Sequence, residues 1–282
     1  MAANRIMQAQ MTRADVTMEY MRVLELPATP ADLALLKDII GRHVAQFAFS
    51  SVGPMLGDDL PLDIESLYRR IIVKRRGGYC FEQNGLLYAV LGDLGFNVSL
   101  YLARVIYNED IHPGLTHRIT LVEADGKRYV ADVGFGPLGP RGPVCMSGEE
   151  SRENFRVFRV AEPRPGEFHM QTIKNGEPYS LYRFELARYG QADCEVGHFY
   201  SHRHPGATFV NHLVVSRIMA DEVFSLRNNE FRVITASGEQ SQEITDSTQL
   251  RAVLEERFGV RVNENESRQL FHRAVSRGQS ST

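Results

Sequence analysis

An α+β fold in three consecutive segments is what this chain predicts. A helical period dominates to about residue 95, a period of two takes over from there to about 195, and the remainder to 282 mixes both. The 282 residues also exceed the roughly 100 to 200 that usually share one core, so more than one packed unit is expected, with boundaries at 1–95, 96–195 and 196–282.

In the first segment Thr29-Pro30-Ala31-Asp32 reads as a helix start. The threonine caps, the proline takes a position where its missing N–H costs nothing, and the aspartate closes a capping box before Leu33, Leu36 and Ile40 line one face. A second helix is expected from near Asp63, after Pro61, through Leu67 and Ile71, leaving at Lys74-Arg75-Arg76 before Gly77-Gly78. The third opens at or just after Cys80, puts Leu87, Val90, Leu91 and Leu94 on one face, and stops at Gly95, which suits a left-handed C-cap.

From Phe96 the pattern changes: Phe96, Val98, Leu100 and Leu102 alternate with Asn97, Ser99 and Tyr101, as in a half-buried strand. The stretch 118–133 is broken only around Asp125-Gly126, a strong hairpin signal, and Asn175-Gly176 marks another turn. Glycines and prolines make 137–147 a long loop. In the last segment, 213–217 and the surroundings of 231–234 read as strands and 246–258 as a helix.

The composition is 43% hydrophobic and 24% charged with a net charge of -3, so no general attraction to nucleic acid or anionic membrane is expected. No apolar run approaches the roughly 18 residues that cross a bilayer, and residues 1–17 lack the order of a secretory signal, so a cytoplasmic location is expected. Cys80, Cys145 and Cys194 form neither a disulfide framework nor a paired metal-ligand spacing. Cys145 and Cys194 lack positive surroundings and are expected to be inert and structural.

Cys80 differs. Gly77 and Gly78 let backbone approach closely, and a cysteine opening a helix sits at the positive end of the macrodipole, which favours the thiolate. The same N–H groups suit the oxyanion of a tetrahedral intermediate. Hairpin register supplies the partners. With Asp125 and Gly126 as the loop, Ile119 opposes Asp132 and His117 opposes Gly134. His117 and Asp132 are then diagonal neighbours on one face, with Cα atoms about 7 to 8 Å apart, so a carboxylate can take an imidazole N–H. A free cysteine alone is usually a small buried hydrophobe and a lone strand histidine is usually structural. The joint arrangement is what points to a nucleophile, a base and an acid that orients it.

Three strings, Arg75-Arg76-Gly77-Gly78-Tyr79-Cys80-Phe81-Glu82-Gln83-Asn84, Thr116-His117 and Val130-Ala131-Asp132-Val133-Gly134-Phe135-Gly136, resemble in order and spacing the signature segments of the arylamine N-acetyltransferases, a family with N-hydroxyarylamine O-acetyltransferase members. The resemblance runs from about residue 20 to beyond 260. It implies a helical bundle, an antiparallel β-barrel and an α/β lid around a cysteine-protease-like core. It also implies acetyl-CoA as acyl donor, no metal, Cys80 as the acetylated nucleophile, His117 as base and Asp132 as its orienting acid. The acceptor would be an aromatic amine or hydrazine, or an N-hydroxyarylamine reacting through oxygen.

Substrate contacts would map to Phe49, Thr116, Phe135, Gly136 and Phe209, although each phenylalanine is also explained as ordinary core. No dinucleotide or Walker-type loop is present, so the CoA phosphates are expected to meet scattered N–H groups and basic side chains near the cleft mouth. The implied partners are small molecules, neither nucleic acid nor membrane, and a homodimer stays open. One departure stands out: Ala48-Phe49-Ser50-Ser51 replaces the family's Pro-Phe-Glu-Asn and removes the acid expected beside Arg76. Glu82 or solvent is then the expected partner, because an enclosed unpaired guanidinium is strongly destabilising.

Three other readings stand beside this one, the first two on the same residues. A papain- or transglutaminase-like cysteine hydrolase has the same order of cysteine, histidine and acid. An amide synthase acting on a carrier-bound acyl chain uses the same triad. A metal-binding module could be built on Cys194, His198, His202 and His204.

Overall fold

The computed structural model describes residues 11–27 and 29–278; the first ten of the seventeen residues read above for a secretory signal lie outside it. The first segment is helical: α1 (Arg13–Val23), α2 (Leu33–Gln46), the two-residue strand β1 (Phe49–Ser50), α3 (Val52–Leu56), α4 (Ile64–Tyr68) and α5 (Cys80–Asp93). The helix start near Pro30 differs from expectation. Asp32, not Thr29, is the cap: its backbone is extended and its carboxylate accepts from Leu35 N–H at 2.8 Å, so α2 begins at Leu33. Asp63 caps α4 as expected, and the helix widens into a π-helical turn over Arg69–Val73 before the glycines. Gly95 closes α5 at φ +93°, with Phe96 N–H donating to Leu91 O at 3.1 Å.

Eight strands follow: β2 (Asn97–Val105), β3 (His117–Ala124), β4 (Lys127–Ala131), β5 (Val144–Cys145), β6 (Ser151–Glu153), β7 (Arg156–Arg164), β8 (Glu167–Lys174) and β9 (Glu177–Glu185). They pair antiparallel in the order β5-β4-β3-β2-β9-β8-β7-β6, and β5 lies back against β7, so the sheet is nearly closed into a barrel. Ile119, Leu121, Phe158, Val160, Met170 and Leu181 are among the buried residues of its core. The β3–β4 hairpin has the expected register, Ala124 opposite Lys127 and Thr120 opposite Ala131. Asp125 and Gly126 take φ +48° and +73°, the conformation that tight hairpins demand. Asn175 and Gly176 turn β8 into β9 in the same way.

The remainder is mixed: α6 (Gln191–Arg203), α7 (Thr208–Asn211), β10 (Val214–Ile218), β11 (Glu222–Arg227), β12 (Glu230–Thr235), β13 (Gly238–Glu243), α8 (Ser247–Glu256) and α9 (Glu264–Gly278). Helix α6 runs across the expected boundary at 195/196. The segments also interlock, because β1 pairs with β10 to edge a second antiparallel sheet, β1-β10-β11-β12-β13.

Arg76 finds neither of the partners expected for it. Glu82 turns back into the first turn of α5, accepts from Tyr79 N–H at 3.1 Å and pairs with Arg70 of the π-helical turn. Arg76 instead reaches α9, donating to Glu266 at 2.8 Å and to Arg261 O at 3.0 Å, with Asp58 at 3.6 Å. The acid lost from the 48–51 string is thus replaced from the far end of the chain.

Candidate active site

Cys80 is the first residue of α5 and is 2% exposed. The turn before it depends on glycine. Gly77 has φ +65°, and a Cβ there would stand 2.5 Å from Ala48 O. This close approach lets Ser50 N–H reach Gly78 O at 2.9 Å and ties the turn before Cys80 to β1. Tyr79 O accepts from the N–H groups of both Glu82 and Gln83, so the oxyanion donors expected at the helix start reduce to Cys80 and Phe81. The thiol itself faces the Thr116 carbonyl at 3.4 Å.

The hairpin delivers the other two residues as its register foretold. His117 Nε2 lies 2.7 Å from Asp132 Oδ2, with both side chains buried. Asp132 Oδ1 accepts from Asn84 Nδ2 at 2.8 Å and from Gly134 N–H at 2.9 Å, so the carboxylate is fully engaged. Burial opposes ionisation of Asp132, but the His117 charge, its hydrogen bond and these two donors hold the carboxyl below its ordinary range. Burial likewise opposes charge on His117, yet the Asp132 charge and hydrogen bond, aided by the Cys80 side chain, push it up to about 10. With Nε2 on Asp132, Nδ1 is the nitrogen left for Cys80. At neutral pH the imidazole therefore holds both protons, which is the partner a thiolate needs.

Asn84 and Gly134 were not singled out from sequence. Asn84 sits one helical turn beyond Cys80 and so on the same face, a signal that periodicity could have supplied. Its amide donates to Arg118 O at 2.6 Å as well as to Asp132, and its Oδ1 accepts from Val133 N–H at 2.9 Å, clamping α5 to both hairpin strands. Gly134 lies against Cys80 itself: a Cβ there would stand 2.7 Å from Cys80 Cα.

Cys80 and His117 open into a cleft of about 630 Å³ whose walls include Phe49, Thr116, Phe135 and Phe209. The rings form two contacting pairs, Phe49 with Phe209 at 5.5 Å and Phe135 with the imidazole at 5.2 Å. Gly136 stands off the cleft wall, behind the ring of Phe49, at φ +86°. Tyr107, Thr208 and Arg227 also line the cleft and were not foreseen, since the turn after β2, α7 and β11 bring them in from distant parts of the chain.

The remaining candidates serve the scaffold. Cys145 and Cys194 are buried, and burial pushes the Cys194 thiol up. His198 accepts from the Tyr79 hydroxyl at Nδ1 and donates from Nε2 to Leu60 O at 2.7 Å, while His202 Nδ1 donates to His198 O at 2.6 Å. Among the described residues no group of three or more His, Cys, Asp or Glu is placed to hold a metal, and no helix is long and apolar enough to cross a membrane.

A family model described as N-acetyltransferase matches residues 32–267. The arylamine N-acetyltransferase of Mycobacterium tuberculosis is 31% identical over 257 residues, which cover 88% of this chain and 90% of that protein. An arylamine N-acetyltransferase / N-hydroxyarylamine O-acetyltransferase of Salmonella typhimurium is 31% identical over 227 residues, covering 79% and 80%. The structure of Mycobacterium marinum arylamine N-acetyltransferase in complex with CoA superposes with a TM-score of 0.85 at 26% identity, over 90% of this chain and 98% of that one.

Proposed function

The chain belongs to the arylamine N-acetyltransferase family, and from that premise we propose that it moves an acetyl group from acetyl-CoA through Cys80 to an aromatic amine. The observation that carries the reading is the buried His117–Asp132 pair at 2.7 Å beside a cysteine opening α5, at the base of an aromatic cleft.

The Cys80 thiolate attacks the thioester carbonyl, and the electron pair moves onto the oxygen, within reach of the Cys80 and Phe81 N–H groups. Collapse breaks the bond to the CoA sulfur, which leaves with a proton from His117. A neutral arylamine then attacks the acyl-cysteine. His117 takes its proton, the amide forms, and Cys80 departs as thiolate. Asp132 keeps the ring oriented and stays ionised throughout. CoA bound to the M. marinum relative supports acetyl-CoA as the donor.

Aromatic amines and hydrazines are neutral nucleophiles near pH 7, and the ring wall of Phe49, Phe135 and Phe209 favours a flat uncharged body. N-hydroxyarylamines would accept through oxygen by the same steps. The likeness of this triad to that of cysteine proteases lies in roles and chain order.

Intact mass tests the reading. Mixing with acetyl-CoA should add one acetyl group to the wild type and none to Cys80→Ala, and an arylamine should then remove it with formation of the amide. Release of acetate at full rate without any arylamine would replace the transferase with a hydrolase.

A further inference from the structure

Apart from the catalytic imidazole, the cleft that holds Cys80 presents one formally charged side chain, Arg227, and among the described residues no acid lines it. Register explains the position. Arg227 ends β11, opposite Val214 of β10 and Glu230 of β12. Ser225, two residues earlier, faces the same side of the strand and lines the same cleft. The acid nearest in register, Glu230, is held by Arg232 at 2.6 Å, and among the described residues the exposed Arg227 side chain makes no ion pair or hydrogen bond. Tyr107, which lines the same cleft, leans on Phe135 at 5.9 Å.

A cation with no counter-ion in an aromatic cleft that already carries an imidazolium complements a ligand anion. Two sources offer one: the phosphates of the acyl donor and an acidic group on the acceptor. Reach separates them. A cleft of about 630 Å³ has room for a drug-sized ligand, so a carboxylate across the ring from an amine stays inside it, whereas the donor phosphates lie at the far end of the extended pantetheine arm from the thioester that Cys80 must meet.

We infer that Ser225 and Arg227 form an anion subsite that selects arylamine acceptors bearing a carboxylate, the guanidinium taking both carboxylate oxygens and the serine hydroxyl adding a further donor. The inference rests on the acetyl-transfer reading and narrows its acceptor class. Neither residue touches the reacting atoms, so their effect falls on discrimination between acceptors.

The test compares p-aminobenzoate with p-aminobenzamide, which has the same shape without the charge, in wild type, Arg227→Leu and Arg227→Lys. The kcat/KM ratio of acid to amide should favour the acid in wild type, fall about ten- to a hundredfold in Arg227→Leu, and recover in part in Arg227→Lys. An unchanged ratio in Arg227→Leu overturns the subsite. So does a KM for acetyl-CoA that rises relative to S-acetylpantetheine while the acceptor ratio holds, because the cation then serves the donor phosphates. Failure of wild-type Cys80 to gain an acetyl group would instead sink the acetyl-transfer reading itself, which the mass measurement registers separately.

Discussion

The Asn84 amide reaches Asp132 from the helix that opens at Cys80, Nδ2 to Oδ1 at 2.8 Å, so one side chain ties the spacing of Cys80 to that of His117. Asn84→Ala removes this bond and leaves Arg118 O and Val133 N–H without partners, at a cost of about 1–3 kcal/mol. Asn84→Asp should be worse, because it presses a second carboxylate against Asp132. Denaturant titration together with the pH profile of Cys80 alkylation checks both. Equal stability and an unmoved profile in the two variants would contradict the clamp.

Gly134 is the contact through which the hairpin docks on α5. Gly134→Ala would put a methyl 2.7 Å from Cys80 Cα and 2.8 Å from Asn84 Nδ2. Backbone on the facing side cannot rotate away, so the strand end must shift, costing about 1–3 kcal/mol and pulling His117 and Asp132 off the thiol. A lower melting temperature with slower Cys80 alkylation is expected. A variant as stable and as reactive as wild type would show that the approach is not tight.

Asp132 is the main favourable influence that pushes His117 up to about 10. In Asp132→Asn the burial that opposes charge remains while the opposing carboxylate is gone, so the ring should be neutral at pH 7. The Cys80 alkylation rate at that pH should fall by a factor on the order of 10² or more, and ultraviolet thiolate absorbance should weaken. In the wild type the raised value means that the stability contributed by His117 is complete below the unfolded-chain value near 6.5 and is lost as pH rises through about 10. Thermal scans from neutral to alkaline pH should show that decline in wild type and lose it in His117→Asn.

What the sequence discloses about this molecule is what is local. Asp125-Gly126 fixes a hairpin because both residues must adopt positive φ, and that fixes which residues share a face, so the His117–Asp132 pairing needs no structure. The helix starting at Cys80 is legible because an apolar face and a left-handed glycine bracket it. The Arg76 partner is not, because Glu266 lies 190 residues away and only the docking of α9 brings it near. Helix α9 itself is legible from Leu270, Phe271 and Ala274 at helical spacing, but its docking against Arg76 is not. Helix α6 hides because Val196, Phe199 and Tyr200 are exposed, while Gly197 is the residue that packs closely, on Leu115 O and Phe81. Arg227 follows the strand period with Ser225, but no period shows that their side is a cleft wall, because that is defined by what other segments leave uncovered.

Two buried histidines should set the acid limit of the fold. His43 receives the Tyr20 hydroxyl at Nδ1, 2.8 Å, and donates from Nε2 to Gln83 Oε1 at 2.9 Å, an arrangement that exists only for the neutral ring. His198 is held in the same state, accepting from Tyr79 and donating to Leu60 O. Burial pushes both down to about 4, against only partial help from their hydrogen bonds, and His202 beside His198 adds to the effect there. A depressed value means that the stability these rings contribute is complete above the unfolded-chain value near 6.5 and is lost as pH falls towards about 4. The melting temperature should therefore drop across that interval, well above the range where carboxylates such as Asp132 titrate. His43→Gln, which can keep one of the two bonds but takes up no proton, should be less stable at neutral pH yet lose less on acidification. If wild type and His43→Gln decline in parallel from pH 6.5 to 4, His43 is not among the groups whose protonation opens the fold.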